Sequence, residues 1–501
     1  MRAPRRRSVR HDLMQQDVRV FAALAAGKAM VAGSALAAAL IVGRMVGAED
    51  FGRWSLIIAA ATFLHTAFVN WTHAATVRFG HDEWVRSGTI ARTLSARVPI
   101  LLLSLAAPAL LVALSPAVWL ERIFGVGREA LALIGLQAAA LWIAAEAQAT
   151  LQAIGRIDRQ ATVAPIVALT GIAGLLALAW AESGTVTSAI VTVASSASII
   201  WGAAWFWALA AGRARITAAP LPDIKRQFLY SAPLLLAFGV GYLSDWGDHL
   251  LLQQQLSLAI VGEFALAYQI FVSIVAANGV VSTVALPRLI AGQARGADAA
   301  ARYMRQVVPT ILVVWMIATT ALVAVLPAAL AFVAGAQFAG SAETLRVLCI
   351  VLPTSIITSL MSVLLSLQER LERVLIYTAL MTAVNLTLSV VLIPRVGVLG
   401  AAIGTAVSYV VAQAVYLRDQ RRHLAIRNPG MTGIWCVGLL FGVLQSAIAS
   451  LPLRVLWAAM ATFALVLMTR HYRAIDGVTV DRMLGGAWPP LRTALHKALV
   501  R

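Results

Sequence analysis

The residues able to do chemistry in this chain lie inside apolar runs. Between residues 62 and 76, Thr62, His65, Thr66, Thr72, His73 and Thr76 interrupt an otherwise apolar stretch. On a 3.6-residue repeat the last five fall broadly on one side. Imidazoles and hydroxyls on one face can line a wet cavity, transfer protons, or satisfy one another in packing. Asp245, Asp248 and His249 share a second face through i+3 and i+4 spacing, where they either meet a pathway or pair with one another. Glu146 stands with Gln148 and Gln152, and Asn278 and Asn385 are lone amides. Lys28 either snorkels to an interface or supplies a positive cavity charge. Arg78 is either a bidentate phosphate donor or an interfacial arginine of the ordinary kind. Ionisable groups at such depth are costly and face a cavity or a partner, so the chemistry implied is binding and transport.

Covalent and cofactor chemistry find no support. Gly27-Lys28 lacks the first glycine and the Ser/Thr of a phosphate-binding loop, and there is no His-Glu-x-x-His or Gly-x-Ser-x-Gly. Cys349 and Cys436 both lie in apolar runs without disulfide or metal spacing. No catalytic, cofactor or metal residues are expected, and the protein reads as a non-enzyme.

The elements that must position these residues follow from composition. The chain has 501 residues, of which 60% are hydrophobic and 12% charged, and its mean hydropathy is +0.83. A soluble domain is about a quarter charged. Apolar runs long enough to span a bilayer recur from end to end, at roughly 18–42, 52–79, 98–120, 129–153, 162–181, 185–211, 228–252, 264–288, 308–334, 344–367, 374–393, 399–417, 433–450 and 454–470. The expected fold is therefore an all-α polytopic membrane protein of about fourteen transmembrane helices. With a cytoplasmic amino end, alternation puts 32 of the 40 Lys and Arg residues inside, including Arg92 and Arg97 in one short loop, and 7 outside. That excess predicts both termini in the cytoplasm. It also accounts for the net charge of +18 without nucleic acid.

A weak internal repeat organises the spans. Ala91-Arg92…Val98-Pro99 has a counterpart in Ala301-Arg302…Val308-Pro309, Asp50-Phe51 in Glu263-Phe264, and Arg156-Ile157-Asp158-Arg159 in Arg370-Leu371-Glu372-Arg373. The three offsets are nearly equal and in register with the spans. They predict two six-helix lobes, 18–211 and 228–417, in the same membrane orientation with a pathway between them. The remaining parts are a basic N-terminus (1–17), a cytoplasmic linker (212–227), two appended helices (433–470) and a cytoplasmic tail (471–501), which could lie on the membrane surface.

Five short motifs then carry a family resemblance across about residues 18–417. Gly47-Ala48-Glu49-Asp50-Phe51-Gly52-Arg53-Trp54-Ser55-Leu56 resembles a "G-x-E-D/E-F/Y-G-x-Y/W-S-L" turn, and Leu151-Gln152-Ala153-Ile154-Gly155-Arg156 an "L-Q-A-x-G-R" exit. Asp248-His249-Leu250-Leu251-Leu252 with Gly262-Glu263-Phe264…Ala267 is similar to "D-R-x-x-L…G-x-Y/F-x-x-A", with His249 where Arg is common. Gly335-Ala336-Gln337-Phe338…Leu345-Arg346-Val347-Leu348 and Asn385…Leu392-Ile393-Pro394-Arg395-Val396-Gly397-Val398-Leu399-Gly400-Ala401 complete the set. Together they resemble the polysaccharide (O-antigen type) flippases of the multidrug/oligosaccharidyl-lipid/polysaccharide exporter superfamily. The resemblance implies a flippase in the bacterial inner membrane that turns an undecaprenyl-diphosphate oligosaccharide to the periplasmic face for polysaccharide biosynthesis. It implies membrane lipids, a coupling ion (proton or sodium) and polysaccharide assembly proteins as partners. The cavity candidates are Lys28, His65, His73, Arg78, Asp245, Asp248 and His249. The rival readings are a drug or cation antiporter of the same superfamily, and a membrane-embedded glycan polymerase or ligase, which would need a sizeable external loop.

Overall fold

The computed structural model describes the backbone of residues 6–114, 117–293, 297–368, 370–422 and 429–471, and most side chains within 29–106, 121–279, 311–365, 370–421 and 432–467. The side chains of the basic N-terminus and of Lys28, and the tail beyond His471 with its expected surface helix, lie outside these residues. Among the described residues there are sixteen α-helices and no strand. They are α1 (Arg6–Phe68), α2 (His73–Ser87), α3 (Ala91–Leu114), α4 (Ala117–Phe124), α5 (Leu131–Ala153), α6 (Ile157–Trp180), α7 (Val186–Ala211) and α8 (Leu221–Gln255). The series continues with α9 (Leu258–Gln293), α10 (Ala297–Ala334), α11 (Ala339–Leu348), α12 (Ile356–Leu367), α13 (Leu371–Val396), α14 (Val398–Arg422), α15 (Pro429–Ala447) and α16 (Leu451–His471).

This is an all-helical, polytopic membrane fold. Nine of the described helices are long and apolar enough to cross a bilayer. One of them, Ala29–Phe68, has 40 residues, about 60 Å at 1.5 Å per residue and twice the hydrocarbon thickness. Gly47 interrupts it: its φ of 85° and ψ of 173° break the helix between the expected first and second spans. Ala336–Thr354 and Ile356–Leu365, bent by 48°, are long and apolar enough to cross only when taken together, and Thr432–Ala447 and Leu451–Leu467 are shorter apolar helices. Against the fourteen expected spans, the described residues hold nine helices of crossing length and apolarity, or ten with the bent pair.

Contacts divide the chain into two compact units, Met1–Leu266 and Ala267–Arg501. In the first, buried alanines such as Ala59, Ala61, Ala147, Ala149, Ala153, Ala189, Ala194 and Ala208 let helix axes approach, as membrane packing requires when lipid supplies no hydrophobic drive. Helix α8 begins at Leu221, inside the expected linker, and joins this unit. Its Tyr242 hydroxyl donates to the Ala59 carbonyl at 3.1 Å, and Gln227 donates to the Thr93 carbonyl at 2.9 Å.

Two turns that the repeat pairs in sequence also touch in space. A Cβ on Gly52 would stand 2.2 Å from the Leu258 carbonyl oxygen and 3.0 Å from the Gly262 nitrogen. A Cβ on Gly262 would stand 1.9 Å from the Ala48 oxygen and 2.9 Å from the Gly52 nitrogen. Each glycine thus meets the other and the residue four before it, a reciprocal contact of two-fold character that only glycine permits.

The second unit packs around Ile311, Leu312, Met316, Ile356, Leu360, Met361, Leu364 and Tyr416. Within it α13 and α14 form a close hairpin. Gly404 of α14 lies against Asn385 and Ser389 of α13, and the Thr405 hydroxyl reaches Asn385 Oδ1 at 3.4 Å.

Candidate functional site

The second crossing, read from sequence as one continuous helix, is interrupted. Val69 leaves helical geometry at φ −126°, and a short 3₁₀ turn, Asn70–Thr72, precedes α2. Asn and Thr side chains compete for backbone partners and favour such breaks. The break frees backbone carbonyls at a depth where they must find partners. The Thr72 hydroxyl donates to the Val69 carbonyl at 2.7 Å, and His73 Nδ1 lies 3.1 Å from the Asn70 carbonyl oxygen.

Around this break four helices assemble a buried polar cluster. Arg97 of α3 is 1% exposed and Glu146 of α5 is also 1% exposed. Arg97 Nη1 donates to Glu146 Oε2 at 2.6 Å, and its Nη2 donates to the Thr72 hydroxyl oxygen at 2.8 Å. Trp142 Nε1 donates to Glu146 Oε1 at 2.8 Å, and His73 Nε2 stands 3.4 Å from that same oxygen. His65 of α1 brings its ring centroid to 5.8 Å from that of His73. The sequence reading placed His65, His73 and Glu146 at membrane depth but counted Arg97 among loop cations. Helix α3 starts at Ala91, so Arg97 lies well inside it, and burial rather than solvation fixes its role. The available signal was the i+4 and i+7 spacing that puts Thr93, Arg97 and Ser104 on one polar face, of which Thr93 and Ser104 are also buried.

Asp245, Asp248 and His249 lie together on α8, as their spacing predicts. His249 is buried between rings: Trp246 at 5.0 Å and Phe264 at 5.1 Å between centroids. Asp248 is buried beside it in sequence, and Asp245 is exposed. Lys28 is on the α1 backbone. Arg78 is exposed on α2, its guanidinium 4.8 Å above the Tyr230 ring of α8.

Near Arg78, a cavity of about 350 Å³ opens between α2, α3 and α8, lined by Phe79, Glu83, Arg86, Arg92, Asp223 and Arg226 among others. Glu83 accepts the Arg92 and Thr93 backbone N–H groups at 2.9 and 2.8 Å, capping α3. Arg92 forms a two-pronged pair with Asp223 at 2.5 and 2.9 Å, which raises the guanidinium further above its ordinary value. Arg226 lies 4.6 Å above the Phe79 ring. Among the described residues neither Arg78 nor Arg226 has a carboxylate partner. Aromatic faces hold them while leaving their N–H donors available.

No family model and no curated protein matches the chain. Solved structures do. The chain is similar to the lipid II flippase MurJ in an inward closed conformation, with a TM-score of 0.67 and 13% identity, over 88% of this chain and 97% of that one. It is also similar to a MOP superfamily transporter from Pyrococcus furiosus (TM-score 0.54, 16% identity, 81% of this chain and 96% of that). A multidrug resistance MATE family transporter in an outward-facing conformation gives TM-score 0.55 and 15% identity over the same shares. The fold is therefore the one that these flippase and multidrug transporters share.

Proposed function

We propose that the protein is a flippase that turns an undecaprenyl-diphosphate-linked oligosaccharide from the cytoplasmic to the periplasmic face of the inner membrane. The observation that supports this reading is the cavity beside Arg226 and Arg78. Its two carboxylates are already engaged by Arg92 and by the α3 cap, so its remaining guanidiniums suit a phosphate-bearing head group. A diphosphate cannot enter hydrocarbon unaided, because even one bare ion costs many kcal/mol. An inside-negative potential would favour its outward passage by roughly 2.3 kcal/mol per charge per 100 mV. The proposed contacts are Lys28, Arg78 and Arg226 toward the cytoplasmic side, with Asp245, Asp248 and His249 further along the pathway.

The test is glycan export in cells and flipping of a labelled lipid-linked oligosaccharide in proteoliposomes, at matched protein levels. Arg78→Ala, Arg226→Ala, Lys28→Ala and His249→Ala should each reduce the rate, on the order of tenfold for one lost charge-assisted contact. His249→Arg should preserve it. Arg421→Ala, which removes a hydrogen bond to the Thr432 hydroxyl, should not lower it. Normal rates in all four alanine variants would remove the site assignment.

Glu146 favours the second reading, a drug or cation antiporter, because such a protein needs a buried carboxylate in its first half. Here Arg97 neutralises that carboxylate internally, which leaves no uncompensated anion for a cationic drug. Unchanged drug resistance in a deletion strain that has lost glycan export would separate the two.

A further inference from the structure

The buried cluster has more donors and acceptors than packing demands, and their valences can be counted. The Asn70 carbonyl can only accept, so the His73 Nδ1 that faces it at 3.1 Å carries a hydrogen. In the neutral ring the lone pair is then on Nε2. That lone pair faces Glu146 Oε1, another acceptor, at 3.4 Å. Two acceptors facing each other at this distance form a gap that one proton would close into a charge-assisted N–H···O bond of about 2.8 Å. Glu146 cannot turn away, because Arg97 and Trp142 hold its two oxygens.

We propose that the His73–Glu146 gap is a proton-binding site at membrane depth, and that it is the coupling site of the transporter. Loading is balanced: a proton from water bonds to His73 Nε2, no other bond breaks, and the cluster passes from neutral (Arg97 positive, Glu146 negative) to a single positive charge. The groups facing His73 are His65 from α1, Arg97 from α3 and Glu146 from α5. On α8, Arg226 sits over the ring of Phe79, six residues along α2 from His73. Arg97 and a charged His65 both oppose loading, so His65 and His73 do not hold protons together. His65 Nδ1 is buried with no hydrogen-bond partner among the described residues. His65 also lies on the same crossing as His73, toward its expected periplasmic end, where it can pass a proton inward.

The coupling role rests on the transport reading, whereas the proton site does not, and the experiment separates them. Protein labelled with nitrogen-15 histidine and reconstituted in lipid nanodiscs is titrated between about pH 4 and 9, the range open to a perturbed imidazole. One ring should keep its Nδ1 proton throughout and gain a proton at Nε2, and this signal should vanish in His73→Gln. In the folded Arg97→Gln/Glu146→Gln double variant the ring should titrate with a displaced midpoint. If no His73 Nε2 signal titrates in a folded protein, the proton site is overturned. In proteoliposomes a pH gradient should change the wild-type flipping rate by up to about tenfold per pH unit for one coupled proton. His73→Gln should flip at one rate with or without the gradient, and a full gradient response in this variant would overturn the coupling role. Wild-type protein that titrates at His73 but moves no lipid-linked oligosaccharide would count against the substrate reading and leave the proton site standing.

Discussion

The two compact units bury different kinds of polar group. The first buries ionisable ones: His73, Arg97, Glu146, Asp248 and His249 are each under 9% exposed. The second, among its described residues, buries mainly hydroxyls and amides, such as Asn278, Thr319, Thr344, Ser355, Asn385, Ser389, Thr405 and Gln445. Its buried charges are Asp419, near the end of α14 and paired with Arg373, and Arg454, in the first turn of α16. Neutral donors in a membrane protein tie helices together at modest cost. A charge at depth is expensive unless it is paired, and natural sequences seldom retain it without a use. The contrast is between neutral groups that tie helices together in the second unit and buried ionisable groups in the first.

The strongest way to break this contrast is to halve the buried pair. Arg97→Ala or Glu146→Ala leaves one uncompensated charge among four helices, with an expected cost of about 3–5 kcal/mol. In a thermal melt in detergent that corresponds to a drop on the order of 10 °C. Arg97→Met with Glu146→Leu, which removes both charges and keeps volume, should recover most of the loss because a buried ion pair is near neutral against apolar replacement. If the single and double variants melt alike, the pair is not coupled.

A smaller effect is expected in the second unit. Asn278 Nδ2 donates to the Ser355 hydroxyl at 3.0 Å, and that hydroxyl donates to the Leu352 carbonyl at 2.8 Å. Asn278→Ala leaves the serine bonded, so the loss should be near 1 kcal/mol. A melt lowered as far as that of Glu146→Ala would erase the difference between the units.

How much of this was legible before the fold explains where sequence reasoning works in a membrane. The spans were readable because hydrocarbon thickness imposes a length that Ala29–Phe68 exceeds, and the motif glycine Gly47 falls where the excess has to be cut. Gly52 and Gly262 stood out as motif residues, and their mutual contact is what fixes them. His65, His73 and Glu146 were visible as costly residues at depth. Arg97 was not: it lies just before an apolar run, where position alone looks like an interfacial cation. Only the fold shows α3 starting six residues earlier and bringing Arg97 onto Glu146, 49 residues away in sequence. The break at Asn70–Thr72 was equally hidden, since neither Gly nor Pro marks it.

The smallest effect should come from the pair that most resembles Arg97–Glu146 on paper. Arg92 and Asp223 are also an arginine and a carboxylate from two helices, with bonds of 2.5 and 2.9 Å. What differs is water. The Arg92 side chain is 69% exposed, against 1% for Arg97. An ion pair in water is screened and loses in side-chain entropy much of what it gains in attraction. The junction of α3 with α8 is held besides by Gln227, buried and bonded to the Thr93 carbonyl. Asp223→Asn should therefore leave the melting midpoint unchanged. Its consequence should be electrostatic: with its counter-charge gone, Arg92 adds a positive charge to the cavity beside Arg226. At limiting substrate and low salt the flipping rate should rise by a factor of about two to three, and the gain should fade near 1 M salt, where the screening length is about 3 Å. A rate unchanged at both salt concentrations would mean the cavity does not receive an anion. A melt lowered as far as that of Glu146→Ala would mean that exposure is not what separates the two pairs.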